Sequence, residues 1–159
     1  MSEERHRLFE IVLDQQSLAP ASPNAEHERR IALFDLSENN SFTVIGAEES
    51  GPYALRLSHS EGRLTFEVHD AARAPLCAHH LPMATLRKTI KDYLLLCESY
   101  HAAIRASTPS QIEAIDMGRR GLHNEAAEML MEAMAARFKL DLETARRLFT
   151  LVCALHVRG

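Results

Sequence analysis

The sequence contains no tryptophan, and only 6% of its residues are aromatic. Sites for single-stranded nucleic acid depend on aromatic side chains on which bases stack, so the chain has little material for such a site. An excess of positive charge is also missing, because 18 lysines and arginines are outnumbered by 22 acidic residues and the net charge is −4. A general electrostatic affinity for nucleic acid or for an anionic membrane is therefore not expected.

Cysteine is rare, and long apolar runs are absent. The three cysteines, Cys77, Cys97 and Cys153, are far apart and form no CxxC pair, which favours buried, reduced thiols over disulfides. The longest apolar stretch, residues 149–155, is far shorter than the roughly 20 residues that cross a bilayer. The N-terminal segment is rich in charge and lacks the apolar core of a secretion signal. We therefore expect a cytoplasmic protein.

Familiar catalytic signatures are missing as well. The sequence has no Walker A loop, no GxGxxG and no GxSxG motif. His27-Glu28 is followed by Arg29-Arg30, without the second histidine of an HExxH helix. A DNA-binding helix-turn-helix would need a basic recognition helix, whereas residues 109–136 are acidic after Arg120.

The first half of the chain, residues 1–82, is predicted to form mainly strands. Alternating apolar residues predict strands over 8–13, 42–46, 53–58, 63–69 and 75–81, with a hairpin turn at 60–62. A helix is predicted between the first two strands, with Ser22 as its N-cap and Pro23 at its first position. This helix is expected to end near Asn39 and to bury Ile31 and Phe34.

After Pro82 the apolar period changes from two to about 3.6, which predicts helices over residues 83–159. The apolar stripe of the first of these helices consists of Leu86, Ile90, Leu94, Cys97, His101 and Ile104. Thr108 and Gln111 form a capping-box pattern that starts the second helix. Gly118 and Gly121 allow either a break around 118–123 or the close approach of another backbone. The last helix is predicted to begin after Asp141 as its N-cap.

Together these elements predict one α+β domain over residues 1–159. We expect an antiparallel sheet of about five strands, a short N-terminal helix and three C-terminal helices packed on one face of the sheet. The last helix carries Phe149, Leu151, Val152 and Leu155 and is apolar on more than one face. Because such a helix must be buried on several sides, a homodimer is expected in which a second copy covers part of it.

A polar cluster interrupts the apolar pattern of the second C-terminal helix. In a continuous helix Arg119 falls on the apolar stripe, where a solvated arginine is out of place. Arg120 follows Asp116 by one turn, and His123 follows Arg119 by one turn. We expect this segment to form the floor of a polar pocket that faces Glu98, with Arg119 directed inward.

Two interpretations of this cluster remain open. An internal ion-pair network, with Asp116 or Glu98 as the partner of Arg119, would only hold the helix in place. A ligand site would bind a carboxylate or phosphate, since an arginine fork binds either group in bidentate fashion. Its residues would be Glu98, Asp116, Arg119, Arg120 and His123. Residues 83–159 hold 11 basic and 9 acidic side chains, a bias that suits a small anion better than a polymer.

The nine histidines raise the question of a metal site. His79 and His80 are neighbours on a predicted strand and therefore point to opposite faces. Glu98-x-x-His101 has the spacing of the carboxylate–histidine pair in di-iron bundles, but those bundles need two such motifs and the chain has one. We therefore expect no metal and no cofactor.

Several segments resemble the uncharacterised bacterial family UPF0262. They are GPYALRLS (51–58), LRKTIKDYLLLCESY (86–100), TPSQIEAIDMGRRGLHNE (108–125) and ARRLFTLVCALHVRG (145–159), with shorter matches at EHER (26–29) and ALFDLSENN (32–40). The resemblance extends over nearly the whole chain, and its 18-residue central segment is the most specific part. It implies a small cytosolic protein of alphaproteobacterial type and carries no assigned activity.

Two functions follow from the residues and remain open. The first is a non-catalytic binding or regulatory module that recognises a small anionic ligand or a partner protein. The second is a small enzyme that acts on an anionic substrate, with His123 as general acid or base and Arg119 and Arg120 as electrostatic stabilisers. No nucleophile is evident beside His123 in the sequence, which favours the binding module.

Overall fold

The computed structural model describes residues 2–18 and 23–156 and has the predicted α+β architecture. The helices are α1 (Ser2–Arg5), α2 (Pro23–Glu38), α3 (Met83–Ala106), α4 (Pro109–Met134) and α5 (Leu142–His156), with a short 3-10 helix at Glu48–Ser50. The strands are β1 (Leu8–Leu13), β2 (Phe42–Val44), β3 (Tyr53–Ser60), β4 (Arg63–Asp70), β5 (Pro75–Pro82) and β6 (Phe138–Leu140). The predicted N-cap Ser22 lies outside the described residues.

The main sheet has the strand order β1-β3-β4-β5 and is mixed. β3, β4 and β5 form the predicted antiparallel meander, and the tight turn between β3 and β4 places Glu61 and Gly62 at positive φ. β1, however, pairs with β3 in parallel, so the prediction of an entirely antiparallel sheet is wrong. The physical reason is that the connection from β1 to β3 contains α2. This helix carries the chain back, so that β3 starts beside the start of β1, as a parallel pair requires.

The strand predicted at 42–46 does not join the main sheet. Its first three residues form β2, which pairs with β6 in a separate antiparallel ribbon that sets Thr43 opposite Lys139. β6 is absent from the prediction because three residues are too few to show an apolar period of two. The inward side chains of the ribbon, which include Phe42, Val44 and Phe138, are buried in the core.

α4 is one continuous helix. The side chain of Thr108 accepts from the N–H of Gln111, and the side chain of Gln111 accepts from the N–H of Thr108, which confirms the capping box. Gly118 and Gly121 do not break the helix, and no described atom of another segment lies within 4 Å of the place that a Cβ would take at either. Neither predicted role of these glycines is therefore realised.

The predicted stripe of α3 is buried only near its start. Leu86 and Ile90 are buried, whereas His101 and Ile104 are exposed. The far end of α3 instead buries Ala103. Among the described residues, no helix is both long enough and apolar enough to span a membrane.

α5 is covered on several sides by other elements of the same chain. Both α2 and α4 pack against it, and all of its residues from 151 to 155 are buried. Its start is the predicted one, because the Oδ1 of Asp141 accepts from the N–H of Thr144 at 2.8 Å. The apolar surface that led us to expect a homodimer thus finds partners within the chain. The homodimer stays a prediction without that support.

α2 buries an arginine instead of the predicted apolar pair. Ile31 and Phe34 are 45% and 62% exposed, so the prediction that they are buried is wrong. Arg29, Ala32 and Leu36 are buried instead, at the spacing of one helical face. A prediction from hydrophobic periodicity assigns the buried face to apolar residues. It therefore misses a buried face that contains a charged residue with hydrogen-bond partners.

Two hydrogen-bond partners of Arg29 lie at the C-terminal end of α5. Its guanidinium donates from Nε to the carbonyl of Ala154 at 3.2 Å and from Nη2 to the carbonyl of Leu155 at 3.3 Å. The last four carbonyls of a helix have no partner within it, and positive charge is favourable at this end of the helix dipole. Arg29 therefore caps α5 and fastens it to α2.

Replacing Arg29 by methionine should lower the free energy of unfolding by about 3 kcal/mol, because two hydrogen bonds from a charged donor are lost at roughly 1.5 kcal/mol or more each. In a chain of this size the melting temperature should fall by roughly 6–12 °C. Arg30→Met, at an exposed position of the same helix, is the matched control and should change the melting temperature by no more than about 2 °C. Equal effects in calorimetry would contradict the capping role of Arg29.

Candidate functional site

Asp116, Arg119 and Arg120 form one ion-pair group on α4. The carboxylate of Asp116 accepts from Nη2 of Arg119 at 2.5 Å and lies 3.1 Å from Nε of Arg120. The hydrogen bond from Arg119, aided by the charges of both arginines, holds the pKa of Asp116 below its ordinary value. Two cations therefore share a single anion, which leaves one positive charge unbalanced.

The guanidinium of Arg119 lies half-buried between α3 and α4. Its Cζ is 4.3 Å from the centre of the Tyr100 ring, which is a cation–π contact. The Nε–H of Arg119 is buried and has no acceptor among the described residues. The side chain of Arg120, by contrast, is 71% exposed. The two arginines thus share one carboxylate but face different surroundings.

His123 is half-buried and packs against two aromatic rings at the junction of α4 and α5. Its ring centroid lies 5.2 Å from that of Tyr93 and 5.5 Å from that of Phe149. Burial, followed by the charges of Arg146 and Arg119, lowers the pKa of His123 from its ordinary value. The neutral imidazole is therefore the favoured form near neutral pH.

The tautomer of His123 follows from its hydrogen-bond partners. A guanidinium only donates hydrogen bonds, so Nδ1, which accepts from Nε of Arg146 at 3.3 Å, must carry the lone pair. The proton is then on Nε2 and is donated to the hydroxyl of Thr150 at 2.9 Å. Thr150 in turn donates to the carbonyl of Arg146 at 3.1 Å. Both ring nitrogens are occupied, and in this tautomer His123 cannot take a proton from Thr150.

Glu143 on α5 is shared by two arginines, as Asp116 is on α4. Glu143 lies 3.2 Å from a guanidinium nitrogen of Arg146 and 4.0 Å from one of Arg147. We refer to Arg119, Arg120, Arg146 and Arg147 as the arginine cluster. Its four positive charges are offset only in part by two carboxylates, and His123 on α4 is hydrogen-bonded to Arg146 on α5. Arg147 also donates from Nη1 to the carbonyl of Asn39 at 3.3 Å, just after the end of α2.

Glu98 lies apart from these residues. It is exposed on α3 and lines a shallow groove of about 350 Å³ with Arg87, Lys91 and Leu94 among its neighbours. Within residues 2–18 and 23–156, no hydrogen bond or ion pair connects Glu98 with Asp116, Arg119, Arg120 or His123. The structure thus brings four of the five predicted site residues together and leaves Glu98 on another surface.

Several contacts of the site come from residues that the sequence analysis did not single out. Tyr93 and Tyr100 are seven residues apart and therefore lie on one face of α3, a signal that was available in the sequence. Arg146 and Thr150 reach His123 only because α5 packs on α4. No sequence spacing relates positions 123 and 146, so this part of the site depends on tertiary structure.

Metal and thiol chemistry finds little support in the described part of the chain. No group of three or more His, Cys, Asp or Glu side chains in that part is arranged to hold a metal ion. Cys77 and Cys97 are half-buried and Cys153 is buried, all three as free thiols. Burial raises the pKa of Cys77 and of Cys153, which keeps these thiols protonated and unreactive.

Comparison with known proteins identifies the family. A profile described as "Uncharacterised protein family (UPF0262)" matches residues 5–158. The UPF0262 protein of Methylobacterium radiotolerans is 52% identical over 154 residues, which cover 97% of this chain and 95% of that protein. That of Mesorhizobium japonicum is 51% identical over 155 residues, 98% of this chain and 96% of the relative. That of Azorhizobium caulinodans is 48% identical over 155 residues, 97% and 96% of the two chains.

These matches confirm the resemblance noted from the sequence segments. The chain belongs to the UPF0262 family, and these relatives come from alphaproteobacteria. No solved structure matches the chain.

Substituting the two arginines that share Asp116 should separate a buried contact from an exposed one. Arg119→Met removes the cation–π contact and the hydrogen bond to Asp116 and should lower the free energy of unfolding by about 1–2 kcal/mol. Arg120→Met is the matched control, and its exposed ion pair should contribute no more than about 0.5 kcal/mol. Urea denaturation measures both values. A larger loss in the Arg120 variant would refute this assignment.

The stability of the protein should fall on acidification through His123. Because the folded pKa of His123 is lower than that of a free imidazole, about 6.5, the unfolded chain binds the proton first as the pH falls. Stability from this group is therefore full above about pH 6.5 and is lost as the pH drops through the folded pKa. His123→Gln should flatten the dependence of unfolding free energy on pH between about 7.5 and 5.

The difference between the wild type and the His123 variant reports on His123 alone. Burial also lowers the pKa of His79, but His79 contributes equally to the pH dependence of stability in both proteins. Parallel curves for the wild type and the variant would show that His123 is not held neutral by the fold.

Proposed function

We propose that this UPF0262 protein is a non-catalytic binding module that recognises a small anionic ligand at the arginine cluster. The ligand group is a phosphate or a carboxylate, which are the two groups that arginine side chains bind in bidentate fashion. The observation that carries the proposal is the sharing of each carboxylate by two arginines, which leaves two positive charges without an internal counterion.

Donors of Arg119 and Arg120 that are not used in the ion pairs with Asp116 support a binding role. The Nε–H of Arg119 lacks an acceptor among the described residues, and a buried donor without a partner is costly. Arg120 is held in place by Asp116 while most of its side chain faces solvent. An ordered arginine with free donors loses less side-chain entropy on binding than a mobile one.

The surroundings of His123 weigh against the alternative of a small enzyme. A general base needs a free lone pair directed at the group that it deprotonates. The only lone pair of the neutral His123 ring accepts from Arg146, and Thr150, the hydroxyl that is hydrogen-bonded to His123, donates to a backbone carbonyl. This arrangement suits a residue that joins two helices under the arginine cluster.

Orthophosphate and succinate test the proposal by their effect on thermal unfolding. A ligand at ten times its dissociation constant stabilises the folded state by about 1.4 kcal/mol, which raises the melting temperature by roughly 3–6 °C in a chain of this size. Sodium chloride at equal ionic strength controls for screening. At least one of the two probes should exceed the chloride effect, and its identity distinguishes phosphate from carboxylate recognition.

Arg120→Gln is the decisive variant, because its exposed side chain can change without loss of the fold. It should abolish most of the probe-induced shift. Arg105→Gln, at an exposed position in the last turn of α3, is the matched control and should retain the shift. Equal shifts in the two variants would refute the site, and no shift with either probe would refute a small anionic ligand and favour a partner protein.

A further inference from the structure

A second candidate site lies beside the ribbon formed by β2 and β6. A cavity of about 720 Å³ opens there, and none of the four arginines of the cluster lines it. Its floor consists of the outward-facing residues at and beside the ribbon, Ser41, Thr43 and Ile45 on one strand and Lys139 and Asp141 on the other. Its walls come from the end of α2 and from the segments around residues 6 and 48. The cavity therefore joins parts of the chain that are distant in sequence.

The floor has a defined geometry because the ribbon has a defined register. Thr43 lies directly opposite Lys139, and paired residues of an antiparallel ribbon project to the same face. Asp141 follows β6 as the N-cap of α5 and lines the same cavity. A cation, an anion and a hydroxyl thus border one cavity.

The charged groups that line the cavity are not paired with one another. No ion pair joins Lys139 to Asp141 or to Glu48, although all three are described and line the same cavity. Asp141 is held in place by the N–H of Thr144, and Glu48 accepts from the N–H of Gly46 at 3.1 Å. The two carboxylates are therefore fixed by backbone donors, while the ammonium of Lys139 keeps its three donors free.

Thr43 adds a neutral polar group at the bottom of the cavity. Only 9% of the residue is exposed, and no hydrogen bond of its hydroxyl is found among the described residues. The hydroxyl is not one of the fully buried polar atoms without a partner, so it is open to the cavity and can bond to a ligand there.

We propose that this cavity binds a free α-amino acid through both of its charged groups. The carboxylate lies on Lys139 and Thr43, and the ammonium lies between Asp141 and Glu48. A simple anion would be repelled by the two carboxylates and a simple cation by the lysine, whereas a zwitterion satisfies both signs at once.

The remaining lining indicates the type of amino acid. Ile45, which is 50% exposed, provides apolar surface at the cavity, and together with Lys139 it also borders an adjoining groove that contains Met131 and, at its rim, Glu128 and Glu132. The side chain of the ligand lies along this surface. We therefore assign the site to amino acids with an apolar side chain, such as leucine.

Titration calorimetry with L-leucine and two analogues that each lack one charge tests the proposal. 4-Methylpentanoate lacks the ammonium group, and 3-methylbutylamine lacks the carboxylate. Leucine should bind, each analogue should bind at least about tenfold more weakly, and glycine should bind more weakly than leucine. Binding of an analogue as tight as that of leucine, or no binding of leucine up to about 10 mM, would overturn the proposal.

Variants connect the binding to the cavity. Lys139→Gln should weaken leucine binding by at least about tenfold, since a charge-assisted contact is lost. Lys88→Gln, an exposed lysine on α3, is the matched control and should bind leucine as the wild type does. Thr43→Val keeps the shape of the side chain and should weaken binding through loss of the hydroxyl alone. Unchanged affinity in the Lys139 variant would refute the site.

This site is separate from the part of the arginine cluster that contains Arg120, whereas Arg147 donates to the carbonyl of Asn39 at the border of the cavity. Arg120→Gln should bind leucine with unchanged affinity, and Lys139→Gln should keep the response to orthophosphate or succinate. Loss of leucine binding in the Arg120 variant would contradict the separation of the two sites.

Discussion

The burial of α5 between α2 and α4 positions polar groups at both candidate sites. The start of α5 carries Asp141 beside the ribbon, where the N–H of Ser41 donates to the hydroxyl of Thr144. Its middle brings Arg146 and Thr150 to His123. Because its residues from 151 to 155 are all buried, α5 cannot shift without exposing apolar surface, at a cost of roughly 25 cal/mol per Å². Both candidate sites are thus held by one hydrophobic contact.

The elements that could be predicted from the sequence are those whose signals are local. The hairpin of β3 and β4, the capping box of α4 and the N-cap of α5 each depend on residues within a few positions of one another. The direction of β1 depends on α2 and on the pairing of β1 with β3, which lies some 45 residues further along the chain. Arg29 shows the same limit, because its buried position is explained only by carbonyls of α5 that are distant in sequence.

The same distinction between local and long-range signals applies to the residues of the candidate site. The spacing of Asp116, Arg119 and Arg120 within one helix predicts their contact, and the structure places the three together. The spacing within α4 also brings His123 near, but its hydrogen-bond partners lie on α5. Glu98 was expected to face these residues, but it is the opposite side of α3, with Tyr93 and Tyr100, that contacts α4. A difference of two residues rotates a side chain by about 200° around a helix, which is enough to place it in solvent.

The distribution of charge supports the proposal of a small anionic ligand over that of a charged polymer. The C-terminal half of the chain has 11 basic and 9 acidic residues, a surplus of two positive charges. The arginine cluster, with four arginines and two carboxylates, has the same surplus. The remaining seven basic and seven acidic residues of that half sum to zero. Since solvent-exposed charges are screened beyond about 8–10 Å at physiological salt, a surplus of this extent attracts one phosphate or carboxylate group and offers no continuous track for a nucleic acid.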